Sequence, residues 1–131
     1  MKKNIFILLI IIQIIIAQSD LYRENSLLFS LYKDVTPLSI GESPLRTNNN
    51  KINSILNNYN VKTIEPWLIS ATEKDFDGDV YLNRIYRITL NEKSESDIIM
   101  MMEELKNIDI IQYITRENLH KVFYTPNDSQ Y

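Results

Sequence analysis

Two segments of this chain carry the same apolar stripe: Ile52, Ile55, Leu56 and Tyr59 in one, and Ile98, Met101, Met102 and Leu105 in the other, 46 residues further on. Both sets recur at i, i+3, i+4 and i+7, the spacing that gathers side chains on one side of an α-helix. Each helix must therefore turn a face toward a core. The segments between them follow a period of two instead. Ser26 to Tyr32 sets Leu27, Phe29 and Leu31 on one side, and Arg84 to Leu90 does the same with Tyr86, Ile88 and Leu90. Val61 to Ile69 and Ile108 to Ile114 complete four predicted strands.

Turn and cap residues fall between these elements. Pro37, Gly41 and Pro44 mark a loop from Lys33 to Arg46, and Thr47 or Asn48 is placed to cap the first helix. Asn57, Asn58 and Asn60 end that helix, since Asn tolerates a left-handed backbone. Pro66 predicts an edge position or a bulge, because proline has no N–H to give to a ladder. A polar loop covers Ser70 to about Tyr81, and Ser94-Glu95-Ser96-Asp97 reads as a capping box with Asp in the Glu place. Asn107 closes the second helix. The order is β-α-β-β-α-β, and right-handed crossovers put both helices on one face of a four-stranded antiparallel sheet. This is an α+β, ferredoxin-like arrangement, which hosts many activities and names none.

The first 17 residues stand apart from that body. Lys2 and Lys3 precede a twelve-residue block, Ile5 to Ile16, interrupted only by Gln13, and Ala17 leads into Gln18-Ser19-Asp20. This layout is that of a secretory signal peptide, and twelve residues fall short of the roughly 20 needed to span a bilayer. Ile15 stands where a small residue is preferred, which keeps an uncleaved anchor as the alternative. Export to the periplasm or the exterior is the expectation. The net charge of −3 argues against nucleic acid, whose phosphates need a basic surface. With no Cys and His120 as the only His, disulfides, zinc knuckles, thiol nucleophiles and multi-histidine metal sites are excluded. Gly41 and Gly78 are the only glycines, so no Gly-rich loop exists for a phosphate or a dinucleotide.

With both helices on one side, the other sheet face is left open, and the strands carry apolar residues on that parity too. Leu28, Tyr32, Ile111 and Tyr113 are the expected contacts of this interaction face. Other candidates lead to no chemistry. Asp75-Phe76-Asp77-Gly78-Asp79 suggests a calcium loop, but with Gly78 at the sixth position Arg84 falls at the twelfth, where a bidentate Glu is required. Within Met100-Met101-Met102, two residues fall on the helical stripe, so packing accounts for the run. A serine nucleophile needs a base in contact, whereas His120 lies beyond the last strand and no G-x-S-x-G occurs. No catalytic, metal or cofactor-binding residue is assigned.

From Thr115 the periodicity is lost, and a mixed segment runs through Arg116-Glu117-Asn118-Leu119-His120-Lys121-Val122-Phe123-Tyr124 to Pro126-Asn127-Asp128-Ser129-Gln130-Tyr131. A tail of this kind is either a frayed terminus or an extended segment that lies in a groove as an added strand. Here the chain resembles the amino-terminal end of a secreted subtilisin-like serine protease precursor. A leader is followed directly by a body of propeptide size. Ile111-Gln112-Tyr113-Ile114 with Glu117-Asn118 is similar to the V-E-Y-A-E-P-N of the family's last propeptide strand. Pro126-Asn127-Asp128 with Tyr131 is similar to the P-N-D-P-x-Y that often opens the mature enzyme, although Ser129 takes the usual Pro place. The helical stretch Ile52 to Val61, followed by Lys62, is similar to the family's I-L-x-x-Y-x-V. The catalytic motifs D-[ST]-G, H-G-T-H and G-T-S-M-A are absent, so the chain looks like a precursor's front end and is not expected to cleave anything.

The resemblance implies a folding assistant and inhibitor that needs no cofactor. Its sheet would pack on a subtilisin-like catalytic domain, in cis or in trans. Leu119, His120, Lys121, Val122, Phe123 and Tyr124 would occupy the substrate cleft like a product, with processing near Phe123 or Tyr124. The expected division is a signal peptide over 1–17, a propeptide-like domain over 18–118, and over 119–131 a tail with the start of a protease domain. The alternative is a stand-alone exported ferredoxin-like module that binds another protein.

Overall fold

In the computed structural model, which describes residues 22–42 and 45–119, the first strand, β1, spans Tyr22–Leu31. There follow β2 (Ile40–Glu42), β3 (Leu45–Thr47), α1 (Asn50–Asn58), β4 (Val61–Pro66), β5 (Phe76–Asp77), β6 (Val80–Tyr81), β7 (Ile85–Leu90), α2 (Glu95–Lys106) and β8 (Ile111–Asn118). The chain is α+β. Strands β4-β7-β1-β8, in that order, form a four-stranded antiparallel sheet, and β2-β3 and β5-β6 form two-stranded ribbons of their own. The two ribbons are additions to the six expected elements. They fall in the segments read as loops, where strands of two or three residues are too short for any alternation to register. The unit described below is Arg23–Glu117.

The core forms where the apolar parities of the strands meet the helical stripes. Leu27, Phe29 and Leu31 of β1, Ile88 of β7, Ile52 of α1, and Met101 and Leu105 of α2 are wholly shielded from solvent. Each such side chain contributes about 1.5–3 kcal/mol on burial. The Phe29 and Tyr86 rings stack with centroids 5.4 Å apart. The Tyr86 hydroxyl accepts the Leu38 N–H at 2.7 Å, so the largest buried residue is satisfied without reaching water.

The caps differ in detail from the expectation. Asn49, not Thr47 or Asn48, is the N-cap of α1, and its side chain accepts the Ile52 N–H at 3.0 Å. Thr47 braces the turn instead: its hydroxyl accepts the Asn49 N–H, and its own N–H donates to the Asn53 side chain at 2.6 Å. Asn49→Ala therefore destabilises the domain by about 1 kcal/mol, read as a lower urea midpoint at unchanged slope. Asn60, with φ of 48°, takes the left-handed conformation expected after α1. At α2, Ser94 accepts the Asp97 N–H at 3.2 Å as a cap should. The Asp97 carboxylate takes the Ser94 hydroxyl at 2.7 Å, so the box closes through side chains.

Several strand boundaries move: β1 begins at Tyr22, four residues before Ser26, and β8 runs on to Asn118, past Ile114. β4 stops at Pro66, short of Ile69, and the ladder passes to the Trp67 N–H, which donates to the Ile85 carbonyl at 2.8 Å. The edge reading of Pro66 holds, since β4 is an outer strand; the register shift lies at the other end, between Val61 and Thr63, and not at the proline. β8 begins at Ile111, three residues later than expected. Ile108 turns the chain out of α2, its N–H donating to Leu105 and its carbonyl accepting from Ile111. It is apolar because it is buried, at 5 % exposure, and not because it is extended. Among the described residues no helix is long and apolar enough to cross a membrane. The leader over 1–17 lies outside them, as does Pro44.

Candidate interaction face

The face turned away from the helices is built from the second parity of each strand. The register places Glu65 opposite Arg87 and Arg87 opposite Leu28, with Thr63, Thr89 and Ser26 in the neighbouring row. β8 runs antiparallel beside β1: the Ser26 hydroxyl meets Glu117 at one end, and the Tyr32 N–H donates to the Ile110 carbonyl at the other. Tyr113, Thr115 and Glu117 continue this surface.

Its middle is charged, where an apolar surface was expected. Glu117 is only 8 % exposed, and its carboxylate accepts the Ser26 hydroxyl at 2.6 Å, Arg87 Nε at 2.9 Å and Arg87 Nη2 at 2.5 Å. The two-pronged guanidinium contact is the strong form of this pairing, directional as well as charged. Arg87 Nη1 also donates to Glu65 at 3.2 Å, and Arg23 Nη1 stands 3.5 Å from Glu117. Glu65 and Arg23 are about half exposed, so each adds well under about 1 kcal/mol.

Burial pushes the Glu117 carboxyl upward, but hydrogen bonds from Arg87 and Ser26 and the charges of Arg87 and Arg23 outweigh it. The group is held below the ordinary carboxylate range, and the Arg87 guanidinium is raised, chiefly by its bond to Glu117. A carboxyl depressed by folding stabilises the fold above its unfolded pKa, roughly 4.3. That contribution is lost as pH falls through the folded value. Glu117→Gln accordingly flattens the loss of stability below about pH 5, seen as a smaller drop in thermal midpoint on acidification than in the parent.

The four expected apolar contacts are distributed unevenly. Tyr32 and Tyr113 are 44 % and 37 % exposed, and both remain accessible. Leu28 is on this face but buried at 8 % exposure. Ile111 is a correction: at 6 % exposure it belongs to the core cluster with Ile108, at the turn where β8 begins. Of the tail set, Leu119 is described and is 51 % exposed. His120, Lys121, Val122, Phe123 and Tyr124 lie outside the described residues.

Reading the sequence missed the charged row. The available signal was Arg87, a charge on the outward parity of a strand whose other parity is wholly apolar. Glu65 and Glu117 carry the matching sign, but only the register reveals that they meet it.

Ser26 and Glu117 form no nucleophile and base. The hydroxyl is 1 % exposed, and a carboxylate engaged by two arginines has little tendency to accept its proton. The acidic segment Asp75–Asp79 forms an exposed ribbon turning at Gly78, whose φ is 58°. Asp75 accepts the Thr72 N–H and hydroxyl, each at 2.7 Å. Among the described residues no three His, Cys, Asp or Glu side chains are grouped to hold a metal ion.

Fold and face together define an α+β domain with a mixed, largely polar sheet surface. Comparison with protein-family models, with curated protein sequences and with solved structures returns no match.

Proposed function

We propose that this chain is the leader and prosegment of a subtilisin-like serine protease precursor, acting as folding assistant and inhibitor of a catalytic domain. The observation that carries the reading is the position of β8. It is an outer strand of the sheet and ends at Asn118, where the segment Leu119–Tyr124 begins. A tail that continues an outer strand can enter a partner's cleft without breaking the sheet it leaves. The sheet order, with the first and third long strands central, supports reading the body as ferredoxin-like with two inserted ribbons. Tyr32 and Tyr113 beside a charged row suit a docking surface that is separately soluble. The leader motif supports export, to the periplasm or the exterior.

An inhibitor that binds only the folded protease stabilises it by mass action, which is the physical content of a folding assistant. The full chain is expected to slow a purified subtilisin at micromolar concentration, measured with a chromogenic peptide. Deleting Leu119–Tyr124 is expected to abolish that inhibition while leaving the thermal midpoint of the domain in place. No inhibition of several subtilisin-like proteases by the intact chain overturns the reading in favour of a stand-alone binding module.

A further inference from the structure

Among the described residues β8 has a single neighbour in the sheet, β1. Strand register is normally dictated by the apolar residues of the buried face, and a slip that keeps the faces moves a strand by two residues. β8 carries such instruction mainly at its start, where Ile111 is buried in the core. On the helix side Ile114 packs on the core, but Arg116 reaches out to Glu95 at the start of α2. On the other side Tyr113 and Thr115 are exposed, and burial returns only at Glu117.

The Ser30 hydroxyl makes a long contact with Gln112 at 3.4 Å, but the shortest side-chain bonds that tie β8 to β1 and β7 converge on its penultimate residue, which takes the Ser26 hydroxyl from β1 and two guanidinium N–H groups from Arg87 of β7. We propose that Glu117 is a positioning residue: it sets the register of β8 on β1 and with it the place at which β8 ends. The assignment rests on the prosegment reading given above. In a register slipped by two residues, Thr115 or Leu119 would face Ser26, and both the Glu117 carboxylate and the Arg87 guanidinium would lose their partner.

A partly buried ion pair adds little net stability over an apolar pair of similar size, but it penalises every arrangement that leaves it unpaired. That property is what specifying a register requires. A slip of two displaces the following chain by about 7 Å, two residues of extended peptide, so different side chains would meet each subsite of a cleft.

The test compares the full chain with Glu117→Gln and with Ile98→Val, a core change on α2 that serves as a stability control. Inhibition of a purified subtilisin and amide exchange along the chain are measured for each. Glu117→Gln is expected to weaken inhibition about tenfold or more and to speed exchange at residues 112–118, with β7 and α2 unaltered. Ile98→Val is expected to leave inhibition at the parent level and to speed exchange across the core without singling out residues 112–118. Unchanged exchange in β8 for Glu117→Gln overturns the register assignment, whatever the inhibition. Equal weakening by Ile98→Val also overturns it, because the effect would then follow stability alone. A parent chain that does not inhibit, while Glu117→Gln still loosens β8, overturns the prosegment reading and supports the register assignment.

Discussion

Phe29→Ala is expected to destabilise the domain by about 3–5 kcal/mol, the cost of losing a buried ring together with the cavity it leaves. Phe29 is wholly buried on β1, a central strand, and its ring stacks on Tyr86. Collapse into the gap is restricted, because the Tyr86 hydroxyl is held by the Leu38 N–H. In a domain of this size each kcal/mol moves the thermal midpoint by about 4–8 °C, so the fall is on the order of 15–30 °C. Total stabilities of small domains run from about 5 to 15 kcal/mol, which leaves the variant marginal at best. A melt monitored by near-ultraviolet circular dichroism reads the effect directly. A shift of only a few degrees would mean that the core is not organised around this ring.

Arg87→Leu is the second large effect, and it acts through a different mechanism. Removing the guanidinium leaves the Glu117 carboxylate shielded from water with only Ser26 and the half-exposed Arg23 beside it. Breaking a fully buried pair costs about 3–5 kcal/mol; the rim of this one is open, and roughly 2–3 kcal/mol is expected at neutral pH. The deficit should shrink on acidification, because protonating Glu117 removes the stranded charge. Adding Glu117→Leu to Arg87→Leu should restore most of the loss, since replacing both partners avoids the unpaired group. Urea midpoints for the two single variants and the double variant form the cycle that measures the coupling. A double variant no more stable than Arg87→Leu alone would show that the carboxylate is not what suffers.

The legible and illegible parts of this molecule separate by range. Both helices and the inner parity of β1 and β7 could be read because their cause is local. Ile52, Ile55 and Leu56 are buried in α1 for the same reason that they are spaced by three and four residues. Leu27, Phe29 and Leu31 are buried because a strand alternates. Failures cluster where burial and periodicity part company. Ile108 looks like a strand residue and is buried at a turn, while Thr115 and Glu117 look like the start of a tail and are in the sheet.

What the sequence by itself determined was the succession of the two helices and four long strands and, for the helices, β1 and β7, the side turned to the core, since period and parity are properties of neighbouring residues. Only the tertiary structure decided the character of the second face. Glu65, Arg87 and Glu117 are scattered over more than fifty positions of the chain, and Arg87 meets both acids through pairings fixed by strand order and register. Such pairings follow from the packing of the whole sheet, and no single segment encodes them.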